Sequence, residues 1–247
     1  MTLAPAAFIR ANTRLVSPPC LPEVRLHLAD DAIGLWERIE ARLGGAARPP
    51  PFWAFAWAGG QALARYVLDH PEVVEGHQVL DLASGCGVAA IAAGLSGAAG
   101  VTASEIDRLA VAAIELNTRA NGVAVPVIGD VLDGDGGGAE VVLAGDVFYQ
   151  RAMAQRVAAF LGRARRRGAG VLIGDPGRTY LPRAGLVALA RYPVPVTRAL
   201  EDTDVKQTTV WELAMPAGAQ CSSGAGSGAV AASAVDSSAG AVRLSAT

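Results

Sequence analysis

Short apolar runs alternate with segments of helical periodicity along the middle of the chain. Five runs predict buried strands, at residues 79–82, 101–105, 125–128, 141–145 and 170–174. Helical spacing predicts helices at residues 61–68 and 108–121, after residue 87, and from about residue 150. Runs at 194–199 and 208–213, separated by polar residues 201–204, predict a closing antiparallel hairpin. Because such alternation is typical of parallel βαβ units, we predict an α/β fold: a Rossmann-like sheet of seven strands, mostly parallel, with helices on both faces.

The chain divides by composition into three unequal parts. Residues 1–51 form an N-terminal segment whose best helix, 31–43, has one apolar stripe. The stripe consists of Ile33, Trp36, Ile39 and Leu43. We expect this segment to pack over the functional site of a single α/β domain, residues 52–215, since 247 residues suit one such domain. Residues 216–247 are rich in Ala, Gly and Ser, with almost no large apolar side chains, so we predict a disordered tail.

A glycine turn follows the first strand of the predicted sheet. Its sequence is Asp81-Leu82-Ala83-Ser84-Gly85-Cys86-Gly87, in which the glycines permit positive φ and let backbone N–H groups approach a ligand. This spacing also satisfies the dinucleotide fingerprint. Asp81 favours a different ligand, because a carboxylate in an apolar strand needs a cationic partner. S-adenosylmethionine supplies a cationic amino group and a sulfonium, whereas a pyrophosphate supplies no cation. We therefore predict an S-adenosylmethionine site at Asp81, Ser84, Gly85 and Gly87, with an anchor for the turn as the alternative role of Asp81.

Acidic residues stand at the ends of the other predicted strands. Glu105 lies 18 residues beyond Gly87, where it is placed to accept hydrogen bonds from both ribose hydroxyls. Asp130 follows the third strand, near the expected position of the adenine amino group, and Asp146 follows the fourth. The carboxyl ends of strands in open α/β sheets border one crevice, so these acids are predicted to converge. A turn or cap role is the alternative for Glu105 and Asp130, and Asp107 is predicted to cap the following helix.

Aromatic residues precede the first predicted helix of the domain. Trp53, Phe55 and Trp57 alternate with alanines, and a period of two places all three rings on one face of an extended segment. We expect them to enclose the methionine end of the cofactor and a substrate side chain, with core packing as the alternative, above all for Phe55. Trp57, Gly59 and Asp146 are included among the predicted cofactor contacts, and Gln61 is predicted to hydrogen-bond the cofactor carboxylate.

Composition narrows the classes of partner. A formal net charge of −2 gives no overall basic field for nucleic acid. The arginine cluster at 163–167 closes a predicted helix, where cations complement the helix dipole; an acidic protein partner is the alternative. The three cysteines and three histidines show no ligand spacing, so no metal and no disulfide framework are predicted. No apolar run is long enough for a membrane span. We expect a monomer in the bacterial cytoplasm, with the mitochondrial matrix as the alternative.

Three sequence blocks resemble a known enzyme family. They are residues 51–61, residues 81–87, and Asp146-Val147-Phe148-Tyr149. With them the chain resembles class I, seven-strand S-adenosylmethionine-dependent methyltransferases, and more narrowly the lysine methyltransferases of the electron-transfer-flavoprotein β-subunit. The similarity extends from about Phe8 to Leu213. Ala83 departs from the pattern, since many class I enzymes have their first glycine there, and Ala56 and Ala58 replace residues that are bulkier or proline.

The resemblance implies methyl transfer from S-adenosylmethionine to a lysine ε-amine, on a protein such as the electron-transfer-flavoprotein β-subunit or a ribosomal protein. It makes Asp146 and Tyr149 the expected catalytic residues: Asp146 orients the amine and stabilises its developing charge, and Tyr149 narrows the channel. Trp53 and Phe148 are expected to line an apolar substrate channel in which lysine loses its proton more easily. The alternatives are a methyltransferase for a small molecule or another substrate, a non-catalytic S-adenosylmethionine-binding module and, more remotely, an NAD-dependent oxidoreductase. The block at Asp146 lacks both prolines of the motif typical of N6-adenine and amide methyltransferases.

Overall fold

A mixed sheet of seven strands lies at the centre of the protein. The computed structural model describes residues 4–43, 50–197 and 201–215. The sheet contains β3 (Gln78–Leu82), β4 (Gly100–Ser104), β5 (Val127–Ile128), β6 (Val141–Gly145), β7 (Gly170–Asp175), β8 (Leu186–Pro195) and β9 (Val205–Leu213). Their order is β5-β4-β3-β6-β7-β9-β8, in which the first five are parallel and β9 pairs antiparallel with both neighbours. The predicted fold class is confirmed.

Helices pack on both faces of this sheet. They are α1 (Pro5–Asn12), α2 (Ala32–Leu43), α3 (Ala58–Asp69), α4 (Val88–Leu95), α5 (Arg108–Asn121) and α6 (Arg151–Arg166). On β6, Val141 and Leu143 belong to the core under α3 and α4, whereas Val142 and Ala144 belong to the core under α6. Because successive side chains of a strand point to opposite faces, one apolar run contributes to two cores.

The N-terminal segment packs beside α5. A small antiparallel pair, β1 (Arg14–Val16) with β2 (Leu26–Leu28), follows α1, and the buried side chains of α1 and α2 form one cluster with α5 and Trp53. All the described residues fall within one compact unit. The described part of the segment therefore packs against α5 and Trp53, while its predicted place over the functional site and the boundary at residue 51 stay predictions.

The apolar stripe predicted for α2 is wrong in part. The helix buries Leu35 and Ile39, which are one turn apart, whereas Ile33 is 71% exposed and Trp36 is 36% exposed. The side chain of Leu43 lies outside the described residues. The contact of α2 with α1 and the aromatic segment is narrow, so two side chains one helical turn apart fill it. The predicted stripe of four residues was therefore wider than the buried face.

Glycines let α3 approach the sheet backbone to backbone. A Cβ on Gly59 would lie 2.2 Å from the Gly174 carbonyl oxygen, and one on Gly174 would lie 2.0 Å from the Gly59 oxygen. A Cβ on Gly145 would meet Gly60 Cα at 2.8 Å. The first turn of α3 is thereby held against the ends of β6 and β7, where larger residues would separate the elements.

The closing hairpin is real, but its first strand is misplaced in the sequence prediction. That strand, β8, runs over Leu186–Pro195 instead of 194–199, and half of its side chains are exposed. It lies at the edge of the sheet, where proline is tolerated. Its apolar run 186–190 is followed by Arg191, Pro193 and Pro195, which interrupt the strand pattern in the sequence. The second strand, β9, contains the predicted 208–213.

Residues 216–247, for which a disordered tail is predicted, lie outside the described residues. Within the described residues, no helix is long and apolar enough to cross a membrane.

Candidate active site

A cleft opens at the carboxyl ends of the parallel strands. Its volume is about 570 Å³, which suits a cofactor-sized ligand. Each parallel strand contributes through the segment that follows it, and the contributing residues are Gly85, Glu105, Asp130, Asp146 and Arg178. The structure thus brings the three predicted strand-end acids to one site.

Asp81 holds the glycine turn from behind this cleft. Its Oδ2 atom accepts hydrogen bonds from Ser84 Oγ and, at 3.1 Å, from the Ala90 N–H. Burial raises the pKa of Asp81 to about 7. Neither Asp81 nor Ser84 lines the cleft. The geometry favours the alternative role of Asp81 as an anchor, and its contact with the cofactor stays a prediction.

The turn itself takes left-handed backbone conformations. Gly85 and Gly87 have φ of 57° and 82°, and Ala83 has φ of 52°. Gly85 and Ala83 line the cleft, whereas Gly87 begins α4 and packs against Ile114. The conformation of Ala83 is one that favours glycine, which agrees with the residue that many class I enzymes have there.

Glu105 lines the cleft with a carboxylate that already binds backbone. Its Oε2 atom accepts the Gly85 N–H at 3.0 Å, and Oε1 accepts the N–H groups of Ile106 and Asp107 at 2.7 and 3.0 Å. A carboxylate has about four acceptor positions, so about one remains for a ligand hydroxyl. The remaining position can accept a ribose hydroxyl, and this contact stays a prediction.

Asp130 takes the turn role that the sequence left open. Its Oδ1 atom accepts the Leu132 N–H at 2.9 Å, and Oδ2 pairs with Arg156 at 2.9 Å. The backbone hydrogen bond and then Arg156 lower the pKa of Asp130. Since the residue also lines the cleft, contact with adenine stays a prediction alongside the observed turn.

Asp146 joins α3 and the segment after β7 at the side of the cleft. Its Oδ2 atom accepts the Gly59 N–H in the first turn of α3, while Oδ1 accepts Arg178 Nε at 2.8 Å and Arg178 Nη2 at 2.7 Å. Burial raises the pKa of Asp146 to about 6, although Arg178 opposes this shift. Asp146 is therefore largely ionised at neutral pH, with about one acceptor position left.

Arg178 extends this contact to a second buried acid. Its Nη2 and Nη1 atoms donate to Glu201 Oε1 and Oε2 at 2.5 and 3.1 Å, and its guanidinium lies 5.8 Å from the Trp57 ring centroid. Glu201 is 5% exposed, and Lys206 Nζ lies 3.5 Å from its Oε2 atom. Asp146, Arg178 and Glu201 form a continuous ionic chain, which we call the Arg178 bridge.

Relatives of this chain carry one shared name. An electron transfer flavoprotein beta subunit lysine methyltransferase from Danio rerio is 39% identical over 212 residues, covering 83% of this chain and 81% of its own. The Homo sapiens protein of that name is 37% identical over 217 residues, with 83% and 80% covered, and a Caenorhabditis elegans homolog is 31% identical, with 79% and 85% covered. The chain belongs to this family. It is an S-adenosylmethionine-dependent methyltransferase that acts on protein lysine.

Two further comparisons cover a smaller share of this chain. A family model described as ribosomal protein L11 methyltransferase (PrmA) matches residues 61–145. Among solved structures, a ribosomal protein L11 methylase from Lactobacillus delbrueckii subsp. bulgaricus is 17% identical with a TM-score of 0.45, covering 63% of this chain and 78% of that one. Magnesium protoporphyrin IX methyltransferase from Synechocystis PCC 6803, with bound SAH, is 14% identical with a TM-score of 0.46, covering 72% and 92%.

The residues of this family member fit its cofactor. Gly85 presents a backbone with open space where a Cβ would stand, and Glu105 keeps an acceptor position beside it. The Trp53 indole Nε1 is buried and has no hydrogen-bond partner among the described residues, although its ring lines the cleft. An unpaired buried donor at a ligand cleft is the kind of group that a bound acceptor satisfies.

The aromatic segment before α3 is not the predicted extended strand. Phe52–Ala54 forms a 3₁₀ turn, so Trp53 and Trp57 line the cleft while Phe55 lines a separate cavity of about 260 Å³. The prediction of one shared aromatic face was wrong, because a period of two places side chains on one face only in an extended chain.

The predicted place of Phe148 in the substrate channel is also wrong. Phe148 is fully buried and packs under α6, and it does not line the cleft. Phe52, which sequence reasoning omitted, lies there instead, with its ring 5.3 Å from Tyr149 and 5.8 Å from Trp57. Tyr149 is 44% exposed and shares the cleft with Asp146 as predicted, although α6 begins only at Arg151.

Gly59 and Gln61 serve the fold. The Gly59 N–H binds Asp146, and its missing side chain permits the close approach of Gly174. The Gln61 side chain is buried, donates to the Ala56 carbonyl and accepts from Cys20 Sγ at 3.0 Å. The predicted cofactor contact of Gln61 is wrong, since these partners lie outside the cleft.

The arginine cluster at the end of α6 is mostly structural. Arg163 donates to the carbonyls of Gly134 and Leu132, Arg165 pairs with Glu212, and Arg167 donates to Ala139. Among the described residues, no cluster of acidic, histidine or cysteine side chains is suited to a metal ion.

Sequence reasoning missed the Arg178 bridge. Residues 175–178 have the composition of a polar turn, and Glu201 lies in the polar segment 201–204 of the predicted hairpin, so neither pattern indicates a partner for Asp146. The position of 175–178 directly after a parallel strand was the available signal, because that position always borders the ligand crevice.

Proposed function

We propose that this enzyme methylates lysine side chains of the electron-transfer-flavoprotein β-subunit. The observation that supports this substrate is the shared name of relatives that are 31–39% identical over about four fifths of the chain. The ribosomal alternative has narrower support, because the L11 methyltransferase match ends at residue 145, before Asp146, Tyr149 and Arg178.

The cleft has residues that can hold the methyl donor and residues that can orient the lysine amine. Gly85, Glu105, Asp130 and Trp53 would hold S-adenosylmethionine, which when bound supplies an electrophilic methyl group on a sulfonium. Asp146 would accept a hydrogen bond from the lysine nitrogen in its remaining acceptor position and thereby orient the lone pair. As the nitrogen gains positive charge, the ionised carboxylate stabilises it, which is the differential stabilisation that accelerates a displacement.

The aromatic rings favour the reactive form of the amine. Phe52, Trp57 and Tyr149 enclose the cleft near Asp146. An apolar surrounding disfavours the ammonium form, so lysine reaches the neutral state needed for attack at a lower pH. Tyr149, which is partly exposed, would contact the side chain at the entrance.

The test is methylation of purified substrates. We would incubate the full-length enzyme with labelled S-adenosylmethionine and, in parallel, the purified flavoprotein β-subunit and ribosomal protein L11, then map the label by mass spectrometry. Label on the β-subunit lysines, lost when those lysines are changed to arginine, is the expected result. Label on L11 alone would replace the proposed substrate. Donor binding without transfer to either would favour a non-catalytic module or an enzyme for a different substrate.

We also propose a monomer that acts in the bacterial cytoplasm, with the mitochondrial matrix as the alternative compartment. Two described cysteines, Cys20 and Cys86, are unpaired, which suits a reducing compartment. Light scattering of the purified chain tests the monomer, and fractionation of the source cell tests the compartment.

A further inference from the structure

The Arg178 bridge carries more carboxylate than cation. Asp175, at the end of β7, adds a third acid: its Oδ1 atom accepts the Arg178 N–H at 2.7 Å, and its Oδ2 atom is buried without a partner among the described residues. Direct contacts join three carboxylates (Asp146, Asp175 and Glu201) to two cations (Arg178 and Lys206), and Arg183 acts on Asp175 from outside these contacts. An ammonium group beside Asp146 would therefore enter a region that is rich in carboxylates.

The bridge also reaches the place where the acceptor amine belongs. Asp146 and Arg178 both line the cleft, beside Trp57 and Tyr149. Glu201 does not line it, but it binds Arg178 through both guanidinium Nη atoms and so fixes the plane of that side chain. An amine that donates to Asp146 would therefore lie next to a guanidinium whose position Glu201 determines.

We propose that Arg178, held by Glu201, is a positioning residue for the acceptor lysine, because the carboxylates around it admit one ammonium group beside Asp146 while its own charge favours the neutral amine. This inference rests on the proposed function only in taking lysine as the acceptor. The proposal assigns to Arg178 and Glu201 opposite effects on the protonation of the acceptor amine.

The chemistry follows in two steps. The ammonium of lysine enters beside Asp146, and its proton passes to water, a loss that the nearby guanidinium promotes because it ends the repulsion between two positive charges. The nitrogen lone pair then forms the N–C bond as the S–C bond breaks, so the positive charge passes from sulfur to nitrogen and the product is a methylammonium beside Asp146.

Other charged groups face this site and are unchanged by the proposed variants. Asp175 interacts with Asp146, Arg183 with Asp175, Lys206 with Glu201, and Glu105 with Tyr149. Because they remain in every variant, differences between variants report the charge that was altered.

Two variants that each remove one charge should shift the midpoint of the kcat–pH profile in opposite directions. In Arg178→Gln the amine holds its proton more firmly, so the midpoint of the kcat profile should rise by about one pH unit, and kcat at pH 7 should fall about tenfold. In Glu201→Gln the midpoint should fall by about one unit, and KM for the protein substrate should rise about tenfold, because the site loses one negative charge. Asp146 titrates in the same direction as the amine in both variants, so the signs are unaffected.

Conservative and matched variants separate charge from folding. Arg178→Lys and Glu201→Asp keep the charge and should restore most of the parent profile. Arg165→Gln and Glu212→Gln break a comparable pair at 3.3 Å outside the cleft and should leave the profile unchanged. Melting temperature and S-adenosylhomocysteine affinity are measured for each protein, so that a variant that fails to fold is replaced by its conservative partner.

A second measurement needs no protein substrate. Propylammonium is titrated calorimetrically into the full-length enzyme saturated with S-adenosylhomocysteine; Glu201→Gln should weaken its binding about tenfold, and Arg178→Gln should strengthen it. If the flavoprotein β-subunit is not methylated but propylammonium binding changes in this way, the proposed substrate falls and the lysine site stands. Midpoints that move in the same direction, midpoints that do not move in folded variants, or a parent enzyme that does not bind propylammonium would each overturn the proposal.

Discussion

At the scale of single residues, Glu105 has one observed role, in its own turn, and one predicted role, in cofactor binding. It accepts three backbone N–H groups and still borders the cleft. We expect Glu105→Ala to weaken S-adenosylmethionine binding by roughly 1–3 kcal/mol, because a charge-assisted hydrogen bond to ribose is lost. Isothermal titration calorimetry measures this directly.

Glu105→Gln is the matched control, since it keeps the shape and most backbone contacts. If both variants bind the donor with parent affinity, Glu105 holds only its own turn and the ribose contact is removed from the site.

Asp146→Asn tests the catalytic assignment. Asp146 has a positive φ of 55°, which asparagine tolerates. Asparagine also keeps an acceptor for the Gly59 N–H, but it removes the negative charge. We expect S-adenosylhomocysteine binding to persist while single-turnover methylation slows by on the order of 10²-fold, the scale at which one preorganised charge partner acts. In the parent enzyme, activity should also fall below about pH 6, where Asp146 becomes protonated.

Tyr149→Phe removes a neutral hydroxyl and should slow methylation less than Asp146→Asn. Equal losses of donor binding and turnover in Asp146→Asn would move that acid into the cofactor pocket. Methylation at the parent rate would end its proposed role with lysine.

Sequence patterns located the strand-end acids because one rule connects a strand end to the crevice. Glu105, Asp130 and Asp146 therefore converge as predicted. Arg178 was missed because its segment has the composition of an ordinary turn. Phe148 was assigned to the channel in place of Phe52 because the direction of a side chain in a turn depends on local backbone rotation, which periodicity does not encode.

At the scale of elements, the turn between β3 and α4 depends on a buried acid. The pKa of Asp81 is raised from 3.8 to about 7 by burial. A raised pKa means that its contribution to stability is full below about pH 4 and is lost as pH rises through about 7. The Asp81→Asn variant lacks this pH dependence. We therefore expect its unfolding free energy, relative to that of the parent protein, to increase by a few kcal/mol at most as pH rises from about 4 to about 7.

Urea unfolding of both proteins without cofactor, across that pH range, measures the difference. A difference that stays constant with pH would mean that Asp81 titrates normally. Donor affinity measured on the same two proteins shows whether Asp81 also contacts the cofactor.

Buried parallel strands were predicted well because both of their faces are covered, which produces continuous apolar runs. The edge strand β8 has an apolar run at 186–190, but Arg191, Pro193 and Pro195 interrupt the strand pattern after it. The elements β1, β2 and α1 are too short or too polar to stand out. Their positions depend on tertiary contacts that a local pattern cannot contain.

At the scale of the whole molecule, we expect a chain that ends after Ala217 to keep its activity. The sequence beyond that residue offers few large apolar side chains to bury. Melting temperature and turnover of the truncated enzyme should match those of the full chain. A clear drop in either would show that the tail contributes to the fold or the site.

The hydrogen bond from Gly59 to Asp146 links a helix to the reacting centre. Because a main-chain N–H faces an ionised carboxylate, its proton resonance should lie downfield of ordinary glycine amides in a ¹⁵N-labelled sample. It should shift as pH passes through about 6, where Asp146 titrates, and shift again when an amine occupies the site. A Gly59 signal that ignores both changes would separate the helix from the chemistry. If it responds, the enzyme contains its own spectroscopic reporter of acceptor binding, in a position that no added label could reach without filling the space between α3 and the sheet.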